Sequence, residues 1–248
     1  MKRLLLALLV TGLAAGQAYA DTLPDAQAIL EAMDRNMVAS SQILTSSMVI
    51  HGTRNSRTVK AQSWAEGESR AFTEYLYPPR ERGTRMLKLD DQLWIYYPDA
   101  DRVIRIAGHM LRNSVMGSDL SYEDMMENSE RSENYTATVT GAERIGERDT
   151  WVLELKGLRE DLAYPLQKVW VDKERMIMLR GELYARSGRL LKKIETLEVM
   201  QVADRWYPQR LLYKDVLKDG GGTEFIIHEI VFDQEIPDSR FSRGQLRR

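Results

Sequence analysis

The sequence contains no cysteine. A disulfide framework is therefore excluded, and so is an acyl anchor on a lipobox cysteine. Histidine is also scarce: the 3 present, His51, His109 and His228, lie in distant segments. None sits at helical spacing from another ligand type, so a zinc site has no support. There is no G-x-S-x-G elbow, no S-x-x-K in a plausible setting and no phosphate-cradling glycine loop. No catalytic residue, metal or cofactor is expected, and an enzyme is not the first reading. Long apolar runs are missing too. The longest, Leu4 to Ala15, falls short of the roughly 20 residues a membrane span needs. Charge is close to balanced, with Lys+Arg 35, Asp+Glu 37 and a formal net charge of -2. That balance argues against nucleic acid as a partner.

What is present begins with Met1-Lys2-Arg3, the apolar run, and the small-x-small site Ala18-Tyr19-Ala20 before Asp21. This is the layout of a cleavable secretory signal over residues 1–20. It predicts an exported chain, 21–248, that is periplasmic, not lipid-anchored and stabilised by core burial alone.

Asp25 to Ala39 carries Ala28, Ile29, Ala32, Met33 and Met37 at steps of three and four, an amphipathic helix. Alternating segments follow: Met48 to Ile50, Val59 to Ala65, Ala71 to Tyr77, Thr84 to Leu89, Gln92 to Tyr97 and Arg102 to Ile106. The alternation resumes at Thr136 and runs through Thr150 to Lys156, Gln167 to Asp172, Met176 to Tyr184, Leu190 to Val202, Trp206 to Val216 and Thr223 to Phe232. This predicts one curved antiparallel sheet of about a dozen strands, an unclosed barrel. The apolar face of such a sheet must be covered. Two segments are available for that, the first helix and the interruption Gly108 to Glu127.

The interruption, GHMLRNSVMGSDLSYEDMME, holds Met110, Met116, Met125 and Met126 and the carboxylates Asp119, Glu123 and Asp124. Ser121 with Asp124 three residues on has the spacing of a capping box and predicts a short helix over Ser121 to Asn128. Acid/base chemistry by the carboxylates is the alternative to capping. Methionine is flexible and polarizable, which suits a lid over an apolar ligand of variable shape; ordinary core packing gives the same pattern. On strand alternation, the pocket walls are expected at Trp64, Phe72, Leu87, Leu89, Leu93, Ile95, Leu153 and Leu155. A shift of one residue would send all of them to the other face.

The signal layout without cysteine, the first helix, the meander, Trp94-Ile95-Tyr96-Tyr97-Pro98, and above all Met116-Gly117-Ser118-Asp119-Leu120-Ser121-Tyr122-Glu123-Asp124 resemble the outer-membrane lipoprotein-sorting proteins of the LolA-like superfamily. The resemblance covers essentially all of the chain after Ala20. It implies an unclosed β-barrel with a helical lid and an apolar cavity for lipid or lipoprotein acyl chains. It also implies a monomer in transient contact with an inner-membrane exporter and an outer-membrane receptor. It carries over no catalytic residue and no cofactor. Two other classes stay open. One is an envelope sensor binding a lipid signal, although such relatives carry an added C-terminal domain for which there is little room after Phe232. The other is a glycan or lipid hydrolase resting on the acidic run.

Overall fold

The structure, a computed structural model, describes residues 23–126 and 130–248. The expected signal segment and the end of the lid helix, with Asn128, lie outside the described residues.

The chain enters at the middle of its sheet. β1 (Ser41–His51), β2 (Ser56–Glu66), β3 (Arg70–Tyr77), β4 (Arg85–Leu89), β5 (Gln92–Tyr97) and β6 (Arg102–Ile106) step outward, each pairing antiparallel with the one before. A second wing runs back from the opposite edge: β7 (Tyr135–Ile145), β8 (Arg148–Gly157), β9 (Leu166–Asp172), β10 (Met178–Tyr184), β11 (Leu190–Val202), β12 (Arg205–Asp215) and β13 (Gly222–Phe232). β13 closes on β1, so the sheet reads β6-β5-β4-β3-β2-β1-β13-β12-β11-β10-β9-β8-β7, with 13 strands and two open edges. It is the unclosed antiparallel barrel that the alternation predicts.

Residues 107–134 carry the chain from the β6 edge to the β7 edge. They form 3-10 turns at Gly108–Arg112 and Val115–Gly117, then α2 (Tyr122–Met126) and α3 (Arg131–Asn134). The first helix, α1, spans Ala26–Met37 and is capped by Asp25, whose carboxylate accepts from the Gln27 N–H at 2.9 Å. It ends at Val38, which is already extended.

Both segments lie on the inner face. Ala26, Ile29, Leu30 and Met33 of α1 pack on Tyr135, Val139, Leu153, Leu155, Val169 and Val171. Burial of Ile29, Leu30 and Met33 contributes about 1.5–3 kcal/mol each. Val115, Leu120 and Tyr122 of the crossover pack on the other wing, against Met48, Val59, Tyr75, Met86, Leu93 and Ile95. Tyr164, Leu183, Ile194 and Leu211 floor the middle.

The outer face of β3 to β5 is apolar as well. Phe72, Leu87 and Trp94 form one cross-strand row and pack against Ile236, Phe241 and Leu246 of a C-terminal strap, residues 233–248. The strap follows β13 and has 3-10 turns at Asp238–Phe241 and Arg243–Arg247. This third covering element has no counterpart among the two predicted from the sequence. Its turns are too short to show a period, and its apolar residues are widely spaced.

Candidate lipid cavity and its lid

The crossover is built as a lid with its own internal order. Val115 N–H donates to Leu120 O at 2.8 Å and Tyr122 N–H to Asn113 O at 3.1 Å, which folds Asn113 to Tyr122 back on itself. The reversal needs positive φ at Met116 and Gly117 (φ 50 and 67), and Gly108 begins the lid at φ 56. Glycine reaches that region at least cost.

The carboxylates of the GSDLSYED stretch hold this lid to the sheet. Asp119 is buried; its Oδ1 accepts from the Asp215 N–H at 3.0 Å and its Oδ2 from the Thr223 hydroxyl at 2.8 Å. Asp124 and Ser121 exchange hydrogen bonds as a capping box, with the Asp124 N–H reaching Ser121 Oγ at 3.3 Å. The same carboxylate accepts from the Tyr164 hydroxyl at 2.7 Å and pairs with the buried ammonium of Lys192. Capping and anchoring thus occupy both carboxylates. Glu123, between them, is half-buried at the rim.

Three cations bind lid carbonyls from the sheet side. Lys88 Nζ donates to Met126 O at 3.2 Å, Lys218 Nζ to Ser118 O at 2.5 Å, and Arg57 to Met116 O. Burial of Lys88 lowers its ammonium below the ordinary lysine range. Burial raises the phenols of Tyr75, under the lid, and Tyr122, within it, well above theirs. Desolvation of the charged form is the main cause in each case.

Beneath lid and helix the described residues of the inner face pack into two apolar clusters. An apolar cavity of about 80 Å³ remains between Met33 and Met37 of α1 and Met176, Met178, Ile194 and Leu211. Such a space holds only a few water molecules, so an acyl chain enters only if these side chains shift. Two clefts with charged residues at their borders flank the lid. One, about 570 Å³, is bordered by Arg112, Glu123, Tyr164, Lys192 and Lys218. The other, about 450 Å³, is bordered by Glu68, Asp90, Asp91, Leu111, Met126 and Leu162.

The structure divides the expected wall residues. Leu93 and Ile95 lie under the lid and Leu153 and Leu155 under α1, on the inner face. Met110, Met116, Met125 and Met126 are half-buried against the lid-side core. Trp64, Phe72, Leu87 and Leu89 are on the opposite face, under the strap. The reason is visible in β4 and β5, where Met86, Leu87 and Lys88, and Leu93, Trp94 and Ile95, are all buried. A strand covered on both faces gives a continuous apolar run, and alternation cannot tell its faces apart. Met86 and Lys88 are the inner-facing residues of β4. The methionines of the small cavity were also missed, because they come from separate elements that only the topology brings together. The density of Met176-Ile177-Met178 was the one local signal.

Two of the three histidines have ordinary partners: His51 lies between Ser56 Oγ and Glu224 Oε1, 2.9 Å from each, and His228 is 2.9 Å from Ser47 Oγ. Among the described residues no helix is long and apolar enough to cross a membrane.

Residues 67–248 match the model of a family described as a "-like" uncharacterized protein. No curated protein matches the chain. Solved structures do. A domain described as outer-membrane lipoprotein-sorting, from Vibrio parahaemolyticus, is 25% identical over 90% of this chain and 98% of its own, with a TM-score of 0.78. A DUF1329 family protein from Desulfovibrio piger aligns at 22% identity over 89% and 97%, with a TM-score of 0.81. A LolA superfamily protein from Nitrosomonas europaea aligns at 22% over 90% and 100%, with a TM-score of 0.74.

Proposed function

We propose a carrier function from the premise that this chain belongs to the family whose model spans residues 67–248 and, with it, to the LolA-like superfamily. The carrier resides in the periplasm and binds lipid, or the acyl chains of a lipoprotein, between the lid and the inner face of the sheet. It takes part in outer-membrane lipoprotein sorting or lipid transport, meeting a membrane exporter on one side and a receptor on the other. It binds and releases, and no bond is made or broken.

One observation carries this reading. A lid crossing between the two edges of an open barrel lies above a methionine-rich interior, fastened by polar contacts to the sheet as well as by its buried Val115, Leu120 and Tyr122. Burying an acyl chain contributes about 0.8 kcal/mol per methylene. The chain's affinity for the membrane it leaves is of the same order. A carrier therefore works near parity, and an interior that fills itself when empty and yields when loaded meets that need. Such a collapsed interior limits the cost of releasing cargo, since no large apolar void is exposed afterwards.

The test has two parts. Native mass spectrometry of the protein recovered from cells should find bound lipid. Joining the lid to the sheet through cysteines introduced at Ser114 and Lys218, with a short thiol cross-linker, should block uptake of a fluorescent fatty acid while leaving the fold intact. Uptake at the unmodified rate in the cross-linked protein would remove the lid from the mechanism.

A further inference from the structure

The last ten residues of the strap concentrate charge of one sign, whereas Asp233, Glu235 and Asp238 stand at its start. Residues 239–248 hold four of the chain's 35 basic side chains and none of its 37 acidic ones. All four are arginines. Packing decides where they point: Phe241 and Leu246 are driven into the sheet, 4% and 0% exposed, which leaves Arg243, Arg247 and Arg248 on the outside.

The contacts they make leave most of the charge in place. Arg240 stacks 4.1 Å from the Trp64 ring centre and Arg243 5.3 Å from that of Trp94. A ring face orients a guanidinium plane without cancelling its charge. Arg247 reaches Asp101 at 3.4 Å, but both side chains are more than half exposed (56% and 71%). An ion pair in that setting is screened and readily exchanged. Arg105, exposed and paired with Trp94 in the β5 to β6 ladder, extends the patch. Asp238, the acidic residue nearest in sequence, pairs with Arg70 at 2.8 Å while its side chain stays 88% exposed, so it borders the patch as an acidic rim.

We propose that this arginine-bearing strap is a docking surface for the headgroups of anionic phospholipids, by which the outer face of the sheet rests on a membrane. Cationic side chains near an anionic membrane surface are attracted to its headgroup phosphates through their charge, and a chain of net charge -2 would otherwise be repelled by such a surface. The buried Phe241 and Leu246 hold the arginines in place beforehand, so little ordering is needed on contact. The strap is on the opposite face from the lid, so a docked molecule keeps its lid free. The inference goes beyond the carrier reading and does not depend on any cargo.

Sedimentation of the cell-processed protein with vesicles tests it. Phosphatidylcholine vesicles containing phosphatidylglycerol should bind the protein, phosphatidylcholine alone should not, and high salt should abolish binding. At about fivefold per arginine at an anionic surface, the pair Arg247→Gln and Arg248→Gln should weaken binding by about twenty-five-fold. Arg247→Lys with Arg248→Lys should largely retain it, because a membrane reads charge. Binding independent of phosphatidylglycerol, no binding to either vesicle, or an unchanged glutamine double variant would each overturn the proposal. Fatty-acid uptake should be unaltered in all these variants, so failure here and failure of the carrier reading are separate results.

Discussion

The same strands, β3 to β5, are covered twice, and the two covers are fastened by different chemistry. On the inner face the lid buries Val115, Leu120 and Tyr122 but is also held by many carboxylates, ammonium groups and backbone carbonyls: Asp119 on the β12 to β13 hairpin, Asp124 on Lys192, and Lys88, Lys218 and Arg57 on lid carbonyls. On the outer face the strap is held by Ile236, Phe241 and Leu246, each at least nine-tenths buried. Polar contacts can be handed to water one at a time with small net change. Apolar knobs lose their whole transfer energy when withdrawn. A cover that opens and a cover that stays would be built in these two ways.

The largest expected effect tests the strap. Phe241→Ala should cost about 3–5 kcal/mol of global stability, read as a lower urea midpoint with unchanged slope. A loss below 1 kcal/mol would mean that the strap is a loose tail and the contrast is false. Asp124→Asn comes next. It leaves the Lys192 ammonium, 5% exposed, without its counter-charge, at about 3 kcal/mol. This cost should appear as faster amide exchange across 108–126 while β3 to β5 keep their protection. Equal loss of protection in the strands would show that the lid does not open on its own.

Alkaline pH sharpens the comparison, because the lid side carries buried phenols and the strap has no tyrosine. Tyr75 and Tyr122 ionise well above the ordinary value of 10.0 when folded. Their contribution is fully present below pH 10 and is lost as pH rises from there toward the folded values, at about 1.4 kcal/mol per pH unit for each tyrosine. Replacing both by Phe should flatten the decline in urea-unfolding free energy above pH 10. The smallest effect concerns two glycines. Gly117→Ala places a Cβ at φ +67 and should cost about 1 kcal/mol. Gly244→Ala in the strap, with nothing closer than 3.9 Å, should leave the thermal midpoint unchanged.

Much of this was legible in advance where one face was wet. The strands from Thr136 to Phe232 alternate clearly, α1 shows its apolar stripe, and the place of the lid is marked by the alternation stopping. Ser121 and Asp124 announce their cap by spacing alone. Legibility failed where a residue's partner is remote or where both faces are dry. The partners of Asp119, Asp215 and Thr223, lie about a hundred positions away. Leu87 looked like an inner wall because leucine is more apolar than its neighbours Met86 and Lys88. The strap that makes the outer face dry has no period of its own to reveal it.

The order of strands in the sheet has a consequence for how the molecule assembles. Every ladder but one joins strands that are consecutive along the chain; the exception is β1 with β13, which pairs Gln42 with Phe232 and His51 with Gly222. Each wing can zip up hairpin by hairpin soon after it is made, with little loop entropy to overcome. The central seam must wait for the last strand. Until then β1 and β13 are both unpaired edges, open to any strand that passes, and substitutions along the seam should slow folding where those in the wings mainly hasten unfolding.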